Sequence, residues 1–559
     1  MRAIGLWVIV IGLTVILGAA TPQEPKPEEK KLTPEQQEKL KERAGLWKDA
    51  QAAEKDGKWK EAFVAHERAL SITREVFGAK DTQVATSLGF IAPLYLRLED
   101  WDKARAARQS ALDILTDIHG KDNWRVTEAR LALADVDLLQ KLSPADRAAL
   151  RKAADQNAEG VRLAQSGKWA DARHPFEEAM ATRSRLLGEA HRDSLLSANN
   201  VGLVLRELAG VRFKQARYRE AGALAGQYVI RMPADGLGWQ LLATSRYLTG
   251  DQAGALAAWN RTGRPTIDLL RIDGARRIRF RVIADAMSVP HGTMLTPSGL
   301  RLARRRLSDI PALRGSVVEY QPVPGGLVEV QAAVDERPTL ESPWRLALGG
   351  AIRAVAQRSA SLEVATPTGS GELWAASWRW EPARSRAAVG VEVPTTRGVP
   401  GVIQVEGAWE RFRFALDPER SLIREESRRT TSVGMSSWIR AGLHLASVLR
   451  LERWSAQRSY LAISVGAERR ARDDRFILSA TTERAVALSS GLAPYTRADA
   501  GASWASTVGL GQPGWSARLG VVTASSDAPQ GTWPIIGSEL AWTLPLRAHP
   551  ATSGGFLAG

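Results

Sequence analysis

Few residues of this chain are spaced to do chemistry. The seven histidines (His66, His119, His174, His191, His291, His444 and His549) form no His-x-x-x-His or Glu-x-x-His pair, the spacing a zinc site uses. There is no cysteine, hence no thiolate ligand, thiol nucleophile or disulfide. The neighbouring carboxylates Glu425-Glu426 and Asp473-Asp474 sit beside arginines, as solvated or salt-bridged groups do. No Gly-x-Ser-x-Gly occurs, and no glycine-rich phosphate loop precedes a helix. The sequence therefore predicts no catalytic, cofactor-binding or metal-ligating residue, and no enzyme.

A formal charge of +15 suggests nucleic acid as a partner. The N-terminus argues against that. Met1-Arg2 is a basic start, 3–17 is a continuous apolar run, and Gly18-Ala19-Ala20 supplies small residues for cleavage, the pattern of a secretory signal peptide over 1–20. An exported basic chain meets anionic lipid at a membrane surface, so lipid and not nucleic acid is the expected partner. Residues 21–36, rich in proline and charge, read as a linker. The last lysine is Lys214; beyond it only arginine is used, which marks a change of architecture.

The helical front, 37–262, repeats itself. Gly57-Lys58-Trp59 is followed by Ala62 and by Ala69-Leu70. Asp100-Trp101 is followed by Ala104 and Ala111-Leu112, and Gly167-Lys168-Trp169 by Ala172 and Ala179-Met180. Tyr218 with Ala221 and Gln252 with Ala255 continue the series, while 124–157 is degenerate. An aromatic capping the inter-helix turn and alanines where helices touch resemble tetratricopeptide (TPR) repeats, the earlier units being of the kinesin light chain type. Such solenoids stack helix pairs and bind protein partners on a concave face.

Residues 269–338 read as strand, helix, helix, strand, strand. The strands at 315–322 and 327–334 flank Gly325-Gly326, and Arg301–Arg306 lies on the second helix, either on its exposed face or against lipid headgroups or a barrel rim. This order resembles a POTRA domain (266–338), the periplasmic module in front of BamA-family barrels and two-partner secretion transporters. From 340 to 547 the helical period gives way to alternation, as in Leu461, Ile463, Val465 and Ala467 or Trp374, Ala376 and Trp378. Eleven of the nineteen tryptophans fall between Trp344 and Trp542, and an aromatic-flanked apolar face with a small or charged opposite face describes a transmembrane β-barrel. About twelve runs fit spanning strands, the first near 344–356 and the last near 534–546. A tail, 548–559, follows. The chain departs from the BamA family in lacking a Val-Arg-Gly-Tyr/Phe motif, its nearest string being Thr396-Arg397-Gly398-Val399, and in lacking an aromatic final strand.

The fold class expected is thus a TPR α-solenoid, one POTRA-like βααββ domain and an antiparallel transmembrane barrel, in the outer membrane of a diderm bacterium with the N-terminal domains in the periplasm. The resemblance implies outer-membrane protein assembly or polypeptide translocation, with client or partner proteins held by the TPR and POTRA-like parts. It implies strand addition at Val317, Val318, Glu319 and Tyr320. Two other readings are a TPR scaffold that uses the barrel as an anchor, and a passive pore lined by Arg353, Arg379, Arg497, Asp499 and Arg518.

Overall fold

The computed structural model describes residues 32–340, 350–351, 354–355, 358–382, 384–395, 398–415, 423–472, 474–506 and 516–529. The expected signal peptide, most of the linker, and the run at 534–546 lie outside them. The chain forms two compact units, one up to Ala198 and one from Asn199.

Helices come first: α1 (Pro34–Lys55), α2 (Trp59–Phe77), α3 (Thr82–Arg97), α4 (Trp101–His119), α5 (Trp124–Lys141), α6 (Pro144–Gln165), α7 (Trp169–Leu187), α8 (Arg192–Lys214), α9 (Tyr218–Arg231), α10 (Gly236–Leu248) and α11 (Gln252–Asn260). α1 begins inside the stretch read as linker, because Thr33 and Gln36 form a reciprocal capping box and Pro34 takes the first helical position, where proline is tolerated. In the first unit α1 packs on α2, α2 on α3, α3 on α4, α4 on α5 and α6 on α7. The alanines picked out by spacing are the ones that vanish at these contacts: Ala62, Ala69, Ala104, Ala111, Ala172 and Ala179 are all buried, as are Ala221 and Ala255 in the second unit. A small side chain there lets two backbones approach.

In the second unit β1 (Thr266–Asp273), α12 (Phe280–Met287), α13 (Pro297–Ser308), β2 (Leu313–Val323) and β3 (Leu327–Glu336) make a βααββ module. Its sheet order is β1-β3-β2, with β3 parallel to β1 and antiparallel to β2. Helices and sheet enclose a core of Ile283, Met287, Leu300, Leu307, Val328 and Val330.

Ten strands follow: β4 (Ser359–Ala365), β5 (Leu373–Arg379), β6 (Arg384–Pro394), β7 (Val402–Ala415), β8 (Ile423–Arg440), β9 (Leu443–Trp454), β10 (Ser459–Ala471), β11 (Phe476–Ala487), β12 (Tyr495–Ala505) and β13 (Ser516–Ala524). They pair in chain order as one antiparallel meander, consistent with a barrel; β4 and β13 are its edges among the described residues. Ten of the expected runs are therefore strands. Of the run near 344–356 only residues 350, 351, 354 and 355 are described, and these are helical. Ala351 and Ala354 suit a helix there, alanine being the best helix former.

Gly45 and Gly160 test the packing of the first unit. A Cβ on Gly45, inside α1, would meet nothing within 4 Å, whereas one on Gly160, in α6, would come within 2.8 Å of the Phe176 ring of α7. Gly45→Ala should raise unfolding stability by roughly 0.5–1 kcal/mol. Gly160→Ala should lower it by roughly 1–3 kcal/mol, as measured by urea unfolding.

Candidate functional site

Among the described residues no group of histidine, aspartate and glutamate could hold a metal ion, and the places able to act are the βααββ module, the end of the sheet on which it sits and the two faces of the ten-stranded sheet. The module is bound together by Glu336 at the end of β3. Its carboxylate accepts the backbone N–H groups of Arg276 (2.9 Å), Arg277 (3.0 Å) and Ile278 (2.9 Å), which lead into α12, and the Arg277 guanidinium (3.3 Å). Burial disfavours the charged carboxyl, but these donors outweigh it and hold Glu336 below the usual carboxylate range.

The module is stitched to the sheet at the β4–β5 turn. Arg279 N–H donates to the carbonyl of Gly369 (3.1 Å) and Ala312 N–H to that of Gly371 (3.3 Å). Both glycines have positive φ, and a Cβ on Gly369 would lie 3.0 Å from the Arg277 carbonyl. Glu372 holds the turn by accepting the N–H groups of Thr368 (2.6 Å) and Ser370 (2.9 Å). Ala365, at the end of β4, joins the module's own core.

A second attachment runs through α13. Arg305 pairs with Asp474 in the β10–β11 turn and stacks over Trp438 of β8 at 4.3 Å. Arg306 donates to the Trp438 carbonyl (3.0 Å). Of the arginine run expected on a helix face or at a barrel rim, these two meet the rim. Their guanidinium groups are held below the usual range by burial. Arg304 turns the other way and donates to the Val318 carbonyl of β2 (2.7 Å).

Along β2 the four residues expected to bind an extended partner divide by alternation. Val317 is 57% exposed and Glu319 is also exposed, but Val318 (1%) and Tyr320 (2%) face the core. β2 is an edge of its sheet. Its free edge is partly occupied: Arg304 takes the Val318 carbonyl, and the Tyr247 hydroxyl donates to the Tyr320 carbonyl (3.5 Å). On the core side the Tyr320 hydroxyl donates to the Gln252 carbonyl (2.8 Å), and Tyr247 and Trp259 pack on its ring at 5.6 and 6.5 Å. Burial pushes the Tyr320 phenol well above its ordinary range. Tyr247 and Trp259 belong to α10 and α11, and repeat spacing gives no hint that they would leave their own stack for a neighbouring strand.

The sheet has two unlike faces, one carrying buried ion pairs and the other exposed aliphatic side chains. On the inner face Glu452 is completely buried and receives Arg428 (3.3 Å), the Trp454 indole N–H (2.9 Å) and the Tyr495 hydroxyl (2.9 Å). Arg428 also binds Glu410 (3.2 Å), and Arg450 joins Glu483 (2.9 Å). Tyr495, on β12, reaches β9 by lying over Ala462 of β10 and Ala485 of β11, both buried in the same cluster. The register puts Arg379, Arg497 and Asp499, expected to line a lumen, on this face, while Arg353 lies outside the described residues. On the outer face Leu362, Trp378, Val389, Val433, Leu449 and Leu478 are exposed.

The helical front carries tetratricopeptide repeats. Residues 46–117 and 160–193 match family models described as tetratricopeptide repeat. No curated protein matches the chain. Among solved structures the chain is similar to a BamA from Haemophilus ducreyi lacking POTRA domains 1–3 (11% identity, 49% of this chain and 59% of that one, TM-score 0.32). It is also similar to CdiB from Escherichia coli (15%, 49% and 57%, TM-score 0.35) and to a putative kinesin light chain with TPR-like repeats from Podosopora anserina (14%, 39% and 92%, TM-score 0.18). The chain spans less than two thirds of either barrel protein's length.

Two substitutions probe these contacts. Glu336→Gln should cost roughly 1–3 kcal/mol at pH 7. The folded carboxyl titrates below its unfolded value of 4.5, so its contribution is complete above that pH and fades as pH falls further. Denaturation curves of parent and variant should therefore converge as the pH falls below 4.5 and through the lowered folded value. Arg428→Met leaves Glu410 and Glu452 without their shared cation and should destabilise the sheet by roughly 3–5 kcal/mol, read as a lower temperature for loss of the compact band on unboiled gels.

Proposed function

We propose that this is an outer-membrane β-barrel protein with periplasmic TPR and POTRA-like modules, serving outer-membrane protein assembly or polypeptide translocation. The supporting observation is the inverted sheet, in which the buried ion pairs face inward and aliphatic side chains with Trp374, Trp378 and Trp504 face outward. A sheet in lipid must satisfy its backbone internally and present apolar atoms outside. In this reading 1–20 is the signal peptide, 21–36 the linker, 37–262 the solenoid, 266–338 the POTRA-like domain, 340–547 the barrel and 548–559 the tail. Client or partner proteins meet the solenoid and the outward side of β2, where Val317 and Glu319 present side chains and main-chain pairing gives affinity with little sequence demand.

A second reading, an envelope scaffold anchored by its barrel, gains support from the occupied Val318 and Tyr320 carbonyls, which obstruct an added strand. The passive pore is less favoured, because the buried Arg428–Glu452–Tyr495 cluster fills the inner face toward one end.

Photo-crosslinking from positions 317 and 319, in cells whose outer-membrane fraction shows the chain as a heat-modifiable band, tests the proposal. Client polypeptides crosslinked at both positions support assembly or translocation. A heat-modifiable band without client crosslinks favours the scaffold. A soluble protein with no mobility shift on boiling overturns the barrel.

A further inference from the structure

On the inner face, Arg386, Arg428 and Arg450 each meet a glutamate. The outer face handles its arginines differently. Arg429 of β8 stands in register opposite Arg453 of β9 on one side and Trp409 of β7 on the other. Like charges facing each other across strands destabilise a sheet, and both side chains are exposed. No carboxylate among the described residues pairs with either. One step further along, Arg411 and Arg413 share a single partner, Glu425 (3.5 and 2.9 Å), and the Arg411 Nε is buried without a hydrogen-bond partner among the described residues. Among the described residues the patch thus holds four guanidinium groups and one carboxylate, which meets two of them.

We propose that Arg411, Arg413, Arg429 and Arg453, beside Trp409, bind the phosphorylated headgroup of a membrane lipid. Guanidinium groups bind phosphate oxygens in pairs, and an anion between Arg429 and Arg453 turns a repulsion into a bridge. The patch is continuous with the apolar outer face: Val433 and Met435 follow Arg429 on that side of β8, and Leu449 and Leu451 precede Arg453 on β9. Acyl chains lying on that face would carry their headgroup to the arginines, which selects a lipid over a free phosphate. The patch also lies toward the β7–β8 and β9–β10 turns, at the end of the sheet opposite the rim that holds the module. This inference rests on the barrel reading, under which that end meets the outer leaflet, where the lipid carries phosphates on its headgroup.

The full chain is reconstituted into phosphatidylcholine vesicles with or without bisphosphorylated lipid A, and lipid retained after detergent extraction is counted by native mass spectrometry. The parent should retain lipid A selectively. Arg429→Gln with Arg453→Gln should lower its affinity by roughly thirtyfold with the heat-modifiable band unchanged, while Arg231→Gln, on α9, should have no effect. Equal retention of lipid A by parent and double variant, or equal retention of both lipids by the parent, overturns the site. Competition by inorganic phosphate at millimolar concentration replaces it with a free-anion site. A chain with no heat-modifiable band even in phosphatidylcholine overturns the barrel reading, and the site with it.

Discussion

Which face of the ten-stranded sheet meets its surroundings governs everything attached to it. Strand alternation gives each residue one of two sides, and here the buried ion pairs take the inner one. Burying Glu452 alone would be costly. It is tolerated because Arg428, Trp454 and Tyr495 converge on it, and because Ala462 and Ala485 leave room for the Tyr495 ring to cross two strands. Once the carboxylates and arginines are satisfied inside, the aliphatic residues can only face outward. An exposed surface of that kind is unstable in water and suited to lipid.

The module depends on the same sheet. Its core includes Ala365 from β4, its loops accept the β4–β5 turn through Gly369 and Gly371, and its second helix is anchored on Trp438 and Asp474. A glycine pair, a carboxylate that organises its own turn and two arginines thus tie the βααββ unit to one end of the sheet. Tyr247 and Trp259 extend the attachment to the last helix pair through Tyr320.

Much of this was legible in the sequence, for reasons that can be stated. Alternation over ten runs gave the strands, because a sheet with two unlike faces leaves a period of two. Aromatic–alanine spacing gave the helix pairs, because only a small residue fits where helices touch. Alternation assigns a face and not a neighbour, so the contact between Tyr495 and Glu452, three strands apart, left no trace in spacing. Glu336 was equally hidden, since nothing local to it announces the 276–278 backbone it caps. The helical residues 350, 351, 354 and 355 were hidden because an alanine-rich composition serves helix and strand alike. The edge residues 317–320 were placed on the correct kind of strand, but the sequence could not say that Arg304 and Tyr247 would reach it.

The two edges of the module's sheet differ in a way that bears on how an extended chain could join it. β1 is covered near its start, where Ile267 exchanges backbone hydrogen bonds with Gly292 and Thr293 and the His291 ring meets the Asp268 carbonyl. β2 is covered near its middle, by one guanidinium and the Tyr247 hydroxyl. Backbone cover is cooperative and hard to displace piecemeal, whereas a single Arg304–carbonyl bond is worth only about 1.5–3 kcal/mol, less than several new main-chain bonds would return. Strand addition at β2 therefore requires Arg304 to let go and the helix pair carrying Tyr247 and Trp259 to shift, which couples the edge to the end of the solenoid.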